Sequence, residues 1–431
     1  MLKNILICIT FFLLYSYSNA QEIQHPEVGD FIIRGNKKLK TSFIRLLSNV
    51  KPGAKLDSTV LKQDIIRLKR LPAVSHAYYQ VFYSHDNKYN VYFDIEENFT
   101  LNPQLNLYTT NDGEFAFRTG LYEFNTLGRN ITFGGFFQRD IFNSFGVNFR
   151  APFLFSNKIG IALNYQDLTT QEPVFLDNGS ADYRYNNTSF EILGLYAFDF
   201  HHRIEAGVTF FNEDYEFLFG STQDGIPLDF ALDKKLVKLV YEYNDLDYDF
   251  QYVEGFKSTL NTQYVTVTRG QTNENILPDF FIFWNDFLYF KRVGKRGNWA
   301  NRLRVGLASN PNSPFAPFSV DNNLNVRGVG NTIDRGTGVI LLNTEYRYTV
   351  YDKKSITVQT NTFLDAGTWR NPGGEFSDFG DSQNVRVYPG IGLRFIHKKI
   401  FNATFRVDYA VGITGISNST NGFVFGIGQY F

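Results

Sequence analysis

Cysteine is almost missing from this 431-residue chain, with Cys8 its only one. That excludes disulfide scaffolds and thiolate metal sites. Net charge is missing too: 42 Lys and Arg stand against 43 Asp and Glu, a formal charge of −1, which gives no bulk electrostatic case for nucleic acid or anionic lipid. After residue 20 no apolar run reaches the roughly 18 residues that a membrane helix needs. A mean hydropathy of −0.24 is too polar for a helical membrane bundle. The six histidines (His25, His76, His85, His201, His202 and His397) show no metal-ligand spacing. There is no Gly-x-Ser-x-Gly elbow, phosphate-binding glycine loop or cofactor fingerprint. Acidic and hydroxyl side chains inside a barrel can line a catalytic site, but no serine, histidine and acid are arranged for one. The expectation is a non-enzymatic protein without cofactor or metal.

What the chain has in quantity is Phe (45) and Tyr (26), which with 3 Trp make 17% aromatics. Phe and Tyr prefer strands. Residues 1–20 read as a secretory signal: Lys3, an apolar stretch from Ile5 to Tyr15, then Ser18-Asn19-Ala20, with cleavage before Gln21. Cys8 lies inside the apolar stretch and leaves with it.

Residues 21–99 mix helix and strand patterns. Asp30–Asn36 is a short strand closed by a Gly35-Asn36 turn. Thr41 or Ser42 can cap a short helix carrying Phe43, Ile44, Leu46 and Leu47, which Pro52-Gly53 stops. Asp57 or Ser58 caps a second helix, with Leu61, Ile65 and Leu68 on one face and Pro72 beyond its end. Strands around Ala77–Tyr83 and Tyr89–Ile95 close a β-α-α-β-β unit.

Residues 100–431 are almost all strand-like, with period-two alternation. In Gly338–Val350, Ile340, Leu342, Tyr346, Tyr348 and Val350 oppose Asn343, Glu345 and Arg347. In Phe401–Val411, Phe405, Val407 and Tyr409 oppose Thr404, Arg406 and Asp408. In Trp299–Leu307, Trp299, Leu303 and Val305 oppose Arg302 and Arg304; in Lys235–Asn244, Val237, Leu239 and Tyr241 oppose Lys238 and Glu242. Soluble antiparallel sheets alternate as well. Here the segments are longer than usual, the polar face is charged in nearly every one, and the apolar face is aromatic at its ends. That combination predicts an all-β transmembrane barrel, apolar towards lipid and polar towards the lumen. Sixteen antiparallel strands fit between Leu101 and Phe431. Connections alternate between short (Asn125–Gly128, Ser156-Asn157, His201-His202, Val293–Lys295, Tyr351–Lys354, His397-Lys398) and long (Gln171–Asp182, Asn212–Ala231, Ser309–Arg335, Arg370–Asn384). An even count returns the C-terminus to the side of the N-terminal unit.

Several motifs then line up. Asn322, Leu324 and Asn325-Val326-Arg327-Gly328 lie in the eleventh connection, and Phe363-Leu364-Asp365-Ala366-Gly367 lies two strands on. Tyr243 to Gly255 forms a strand-turn-strand stretch. Arg406-Val407-Asp408-Tyr409-Ala410 and the ending Phe423–Phe431 make the last two strands. Over essentially the whole chain after residue 20, this resembles the outer-membrane assembly and translocation superfamily typified by BamA and TamA, the bacterial surface antigen family. Residues 21–99 then look like one α+β POTRA domain, with a closing strand that ends at Glu96 or Glu97, and residues 100–431 like the barrel. The chain departs from the family pattern at Val329 (usually Phe or Tyr), at Asn244 and Tyr252 (expected Asp and Pro), and in carrying a single POTRA unit.

The strand parity places Glu345, Asp365 and Asp408 on the lumen side, and Gly328 and Gly330 let the long connection fold sharply back. A loop tucked inside can bring Arg327 onto one of these carboxylates; the plainer alternative is an exposed surface loop with an unpaired arginine. The resemblance implies the first, with Arg327 bound near Asp365, Glu345 sharing it, and Val326, Gly328, Phe363 and Gly367 completing the motif. A charged pair in a wet lumen is expected to contribute about 1–3 kcal/mol. At the C-terminus, Phe425, Ile427, Gly428 and Phe431 read both as a lipid-facing strand and as a barrel-insertion signal. The first strand carries Pro103, which cannot donate to a ladder, and Gly412, Gly415, Gly422, Gly426 and Gly428 populate the last two strands and their loop, so the closing seam is expected to be weak. The resemblance implies a Gram-negative outer-membrane location with the POTRA unit in the periplasm. Its partners would be membrane lipid, unfolded barrel or secreted clients, and periplasmic or lipoprotein accessory subunits. The function reads as assembly and insertion of outer-membrane proteins, with a secretion pore as the alternative and a porin or receptor as a third reading.

Overall fold

The structure, a computed structural model, describes residues 25–109, 115–139, 141–176, 178–224, 227–270, 279–310, 316–320, 325–329, 334–414 and 421–431. The expected signal segment with Cys8, and Asn322, Leu324, Gly330 and Gly415, lie outside the described residues. No helix among the described residues is long and apolar enough to cross a membrane.

The N-terminal unit runs β1 (Glu27–Arg34), α1 (Thr41–Leu47), α2 (Ser58–Lys69), β2 (Val74–Tyr83), β3 (Lys88–Glu97). β3 is central, parallel to β1 and antiparallel to β2. The predicted face of Leu61, Ile65 and Leu68 is buried with Phe43, Ile44, Val91 and Phe93 in one core. Asp57 caps α2 as expected, accepting from the Thr59 N–H at 2.7 Å. The α1 cap differs from expectation. Lys40 is the N-cap and has no acceptor side chain, while Thr41 is already helical; the chain enters α1 with the Lys40 N–H bound to the Gly128 carbonyl at 3.0 Å. The Glu97 carboxylate accepts from the backbone N–H groups of Lys37, Lys38 and Leu39 at 2.8–2.9 Å and so fixes the Gly35-Asn36 turn to the end of β3.

Sixteen strands follow. They are β4 (Leu101–Thr109), β5 (Phe115–Thr126), β6 (Ile131–Arg139), β7 (Asn143–Ala151), β8 (Ile159–Leu176), β9 (Gly179–Ala197), β10 (His202–Gly220) and β11 (Asp229–Asn244). β12 (Tyr252–Gly270), β13 (Phe280–Val293), β14 (Gly297–Ala308), β15 (Gly338–Lys353), β16 (Ile356–Arg370), β17 (Val385–His397), β18 (Thr404–Val411) and β19 (Asn421–Ile427) complete the set. Each pairs antiparallel with its chain neighbours, and the ring closes between β19 and β4. Consecutive strands share seven or more paired residues, as β18 and β19 do from Phe405↔Ile427 to Val411↔Asn421. The contact between β19 and β4 is the smallest of any adjacent pair in the ring.

The burial pattern is inverted relative to a soluble protein. Trp299 is 45% exposed and Val350 46%, with Ile340, Leu342, Tyr346, Val237 and Phe405 also facing outward, whereas Arg327, Arg347 and Arg394 are among the largest fully buried side chains. An exterior of Phe, Tyr, Leu and Val around a charged interior is stable only with lipid outside. Two predicted long connections are strand instead. Gln171–Asp182 and Asn212–Ala231 mostly extend the β8–β9 and β10–β11 hairpins. Their polar residues still alternate, and an inner cluster of Val174, Ala181, Tyr183, Tyr215 and Leu232 holds these extensions together.

The N-terminal unit lies across one mouth of the barrel. Phe43 packs on Phe153. Arg70 donates to the carbonyls of Leu246 (2.8 Å) and Phe200 (3.2 Å), and Phe99 pairs its backbone with Lys399 and Phe401 in the β17–β18 turn.

Candidate functional site

The described residues of the β14–β15 connection, 316–320 and 325–329, pack inside the barrel. A short hairpin, Phe318–Val320 with Asp334–Gly336, stands at its base. Arg335 pairs with Glu172 at 2.6 Å and Asp334 with Arg386 at 3.1 Å, so the hairpin is tied to opposite walls. The tip places Arg327 in the interior at 0% exposure.

Three strands supply the receiving wall. Asp365 on β16 takes Arg327 bidentately, from Nε to Oδ2 at 2.8 Å and from Nη2 to Oδ1 at 3.0 Å, and also accepts the Arg327 backbone N–H at 3.0 Å. Glu345 on β15 accepts from Nη1 at 2.9 Å and Asp408 on β18 at 3.4 Å. The guanidinium carbon lies over two rings, 3.6 Å from the Phe363 centroid and 4.4 Å from that of Tyr430. Arginine's planar fork is what allows bidentate pairing and stacking at once.

The Phe-x-Asp-x-Gly spacing follows from strand geometry. Residues 363, 365 and 367 share the lumen face, so ring, carboxylate and gap stand in a row. A Cβ at Gly367 would lie 2.8 Å from Leu341 Cδ2 and 3.3 Å from Val326 Cγ2, so the glycine makes room for the loop. Gly328 has φ +88°, and a Cβ there would sit 2.6 Å from the Ala410 Cβ. Val326 and Val329 are buried in the apolar cluster with Val320, Leu341, Phe363 and Trp369. Val329 therefore fills space at the tip where an aromatic residue was expected.

Sequence reasoning missed half of this site. Arg394 donates to both oxygens of Glu345 at 2.7–2.8 Å, Arg347 binds the same carboxylate, and Arg406 approaches Asp408 at 3.4 Å. Asn343 donates to the Asn325 carbonyl at 2.8 Å and steadies the loop. Parity had already put Arg347 and Arg406 inside, but the convergence of four guanidiniums on three carboxylates depends on which strands close together. The expectation of a wet, screened pair is also corrected: Arg327, Asp365 and Asp408 are 0% exposed, because loop, wall and C-terminal segment exclude water.

The C-terminal reading needs correction too. Phe425 and Ile427 face outward, but at Gly428 (φ +106°) the chain leaves the strand. Tyr430 is then buried against Arg327, and Phe431 packs near Phe290 and accepts from Arg347 at 3.4 Å. Phe431 is thus directed into the lumen and not towards lipid.

Residues 26–98 match the family model described as POTRA, surface antigen variable number repeat. The chain carries a POTRA domain. With that domain included, the fold is similar to those of solved BamA and CdiB structures. BamA from Haemophilus ducreyi, in a form lacking POTRA domains 1–3, superposes with TM-score 0.54 at 16% identity, over 94% of this chain and 84% of that one. CdiB from Acinetobacter baumannii gives 0.60 at 13% identity, over 94% and 74%; CdiB from Escherichia coli gives 0.56 at 10%, over 96% and 92%. Comparison with curated proteins by sequence gives no match. The likeness at these identities is one of fold, and the POTRA domain is the part identified by sequence.

Proposed function

We propose that this protein is a member of the BamA/TamA superfamily in the outer membrane, with its POTRA domain in the periplasm, and that it inserts client barrel proteins. The observation that carries this reading is the seam. β4 and β19 are hydrogen-bonded neighbours, but they meet over a smaller contact than any other adjacent pair of the sixteen, and Pro103 removes one donor from β4. Open strand edges carry unpaired N–H and C=O groups that can template an incoming strand. The POTRA domain beside the mouth supports the same reading, since its outer strands offer edges to an extended client. A secretion pore is the second reading, favoured by a lumen whose occupying loop is held by a few discrete ion pairs. Both readings are non-enzymatic.

The deciding experiment compares the outer-membrane and secreted proteomes of cells with and without the protein. Insertion predicts a broad loss of barrel proteins. Loss of one secreted product with barrels unchanged would replace insertion by export.

A further inference from the structure

The turn between β11 and β12 packs against the barrel's interior wall. It contains a short strand, Asp247–Asp249, paired back onto Tyr252–Glu254. Phe250 has φ +53° and Gly255 φ +112°, and a Cβ at Gly255 would lie 2.2 Å from the Asp245 carbonyl oxygen. This backbone folds the turn inward beneath β13, as far as the lumen-facing side chains of β14 and β15. There the Tyr252 hydroxyl bonds Thr349 Oγ1 at 3.1 Å, with its ring 4.0 Å under the Arg292 guanidinium. The Asn298 side chain bonds both the N–H and the C=O of Val253, at 2.8 and 2.9 Å, in the manner of a neighbouring strand. Gln251 donates to Asp352 at 3.0 Å. Leu246, Gln251 and Tyr252 are buried, and Leu246, Tyr248 and Val253 pack with Phe290, Ala300 and Phe431.

The other side of the same turn is held by the POTRA domain. Arg70 at the end of α2 donates to the Leu246 carbonyl, Lys69 pairs with Asp247, and the His76 ring stacks on Phe250 at 4.7 Å. The turn is therefore gripped between the barrel wall and the POTRA domain.

We propose that residues 245–254 form a plug across the POTRA-side mouth of the barrel, and that the POTRA domain holds it seated. Displacing the domain, as an engaged client would, removes the contacts of Arg70, Lys69 and His76, and leaves the plug on its wall bonds alone. Sealing of the lumen is then set by the position of the POTRA domain. The inference does not depend on whether the barrel inserts or exports.

The test is ion conductance of the purified full chain in planar lipid bilayers, a readout that is blind to client identity. A Val253→Cys/Asn298→Cys pair gives a reversible handle, since the two residues already touch and the chain's sole cysteine is Cys8. Reduced, this variant lacks the Asn298 bonds and should conduct several-fold more than the unmodified chain; oxidised, it should return to the low level. Arg70→Ala with Lys69→Ala should raise conductance in the same direction, and Lys62→Ala, on the exposed face of α2, should not. Heat-modifiable migration checks that each variant is a folded barrel. Unchanged conductance in the reduced cysteine pair would overturn the plug. Opening by that pair with none by the Arg70 and Lys69 changes would overturn its control by the POTRA domain.

Discussion

Arg327 joins the inward loop to three carboxylates of the barrel wall. Its removal would leave Asp365 without a counter-charge in a dry site, and breaking a buried ion pair from one side typically costs about 3–5 kcal/mol. That is larger than a screened pair would give, and it falls on the docked state of the loop, because the ladders of β15 and β16 do not pass through Arg327. Arg327→Ala should therefore still show heat-modifiable migration, lose most activity, and become cleavable by protease in the 309–335 connection. Arg327→Lys should rescue poorly, since one ammonium cannot make the fork to Asp365 and lie over both Phe363 and Tyr430. Wild-type protease resistance in Arg327→Ala would show that the hairpin pairs Arg335–Glu172 and Asp334–Arg386 suffice to hold the loop.

Among the elements, α2 links the POTRA core to the barrel. Its buried Asp64 accepts from Ser48 Oγ (2.5 Å) and from the N–H groups of Asn49 and Val50 (2.7 and 3.1 Å), closing the loop that follows α1. Asp64→Ala would strand these donors, and should cost the domain about 3 kcal/mol, measured by denaturant unfolding followed by amide exchange in residues 43–95. Asp57, at the start of α2, behaves differently with pH. The Thr59 N–H holds its carboxyl below the usual carboxylate range. A depressed folded value means that the cap contributes fully above about pH 4 and is lost as pH falls through the folded value. Amide protection at Thr59 should fall in acid, and Asp57→Asn, which can still cap but does not titrate, should flatten that dependence. The seam between β4 and β19 makes the third prediction of this kind. A disulfide joining Leu101–Leu105 to Phe423–Ile427 should abolish insertion and leave the barrel folded. Full activity with the seam locked would exclude a lateral opening and favour the pore.

The molecule as a whole carries apolar rings outward and ion pairs inward, so it should require detergent or lipid and migrate differently before and after heating. A chain that stays soluble without detergent would contradict the barrel's lipid-facing exterior. Deleting residues 21–99 should leave that barrel folded but inactive. The same deletion should raise bilayer conductance, because Arg70, Lys69 and His76 no longer seat the 245–254 turn. An active truncation would remove the POTRA domain from the mechanism.

Much of this was legible in the chain because it rests on local periodicity. Alternation in Gly338–Val350 assigned Glu345 and Arg347 to the lumen correctly, since a strand's side chains alternate whatever surrounds them. Leu61, Ile65 and Leu68 marked the buried face of α2 for the same kind of reason. The pairing of Arg327 with Asp365 was implied by the family resemblance of the two motifs and not by parity or spacing, and their distances, the dryness of the site and the extra guanidiniums of Arg394 and Arg406 came from strands dozens of residues apart in sequence closing into one ring. The turn of Phe431 into the lumen could not be read from parity, because a single positive φ at Gly428 ends the alternation. The inward fold of residues 245–254 was hidden likewise: Tyr252, Asn298 and Thr349 carry no mutual signal in sequence, and only the curvature of the barrel brings them within bonding distance.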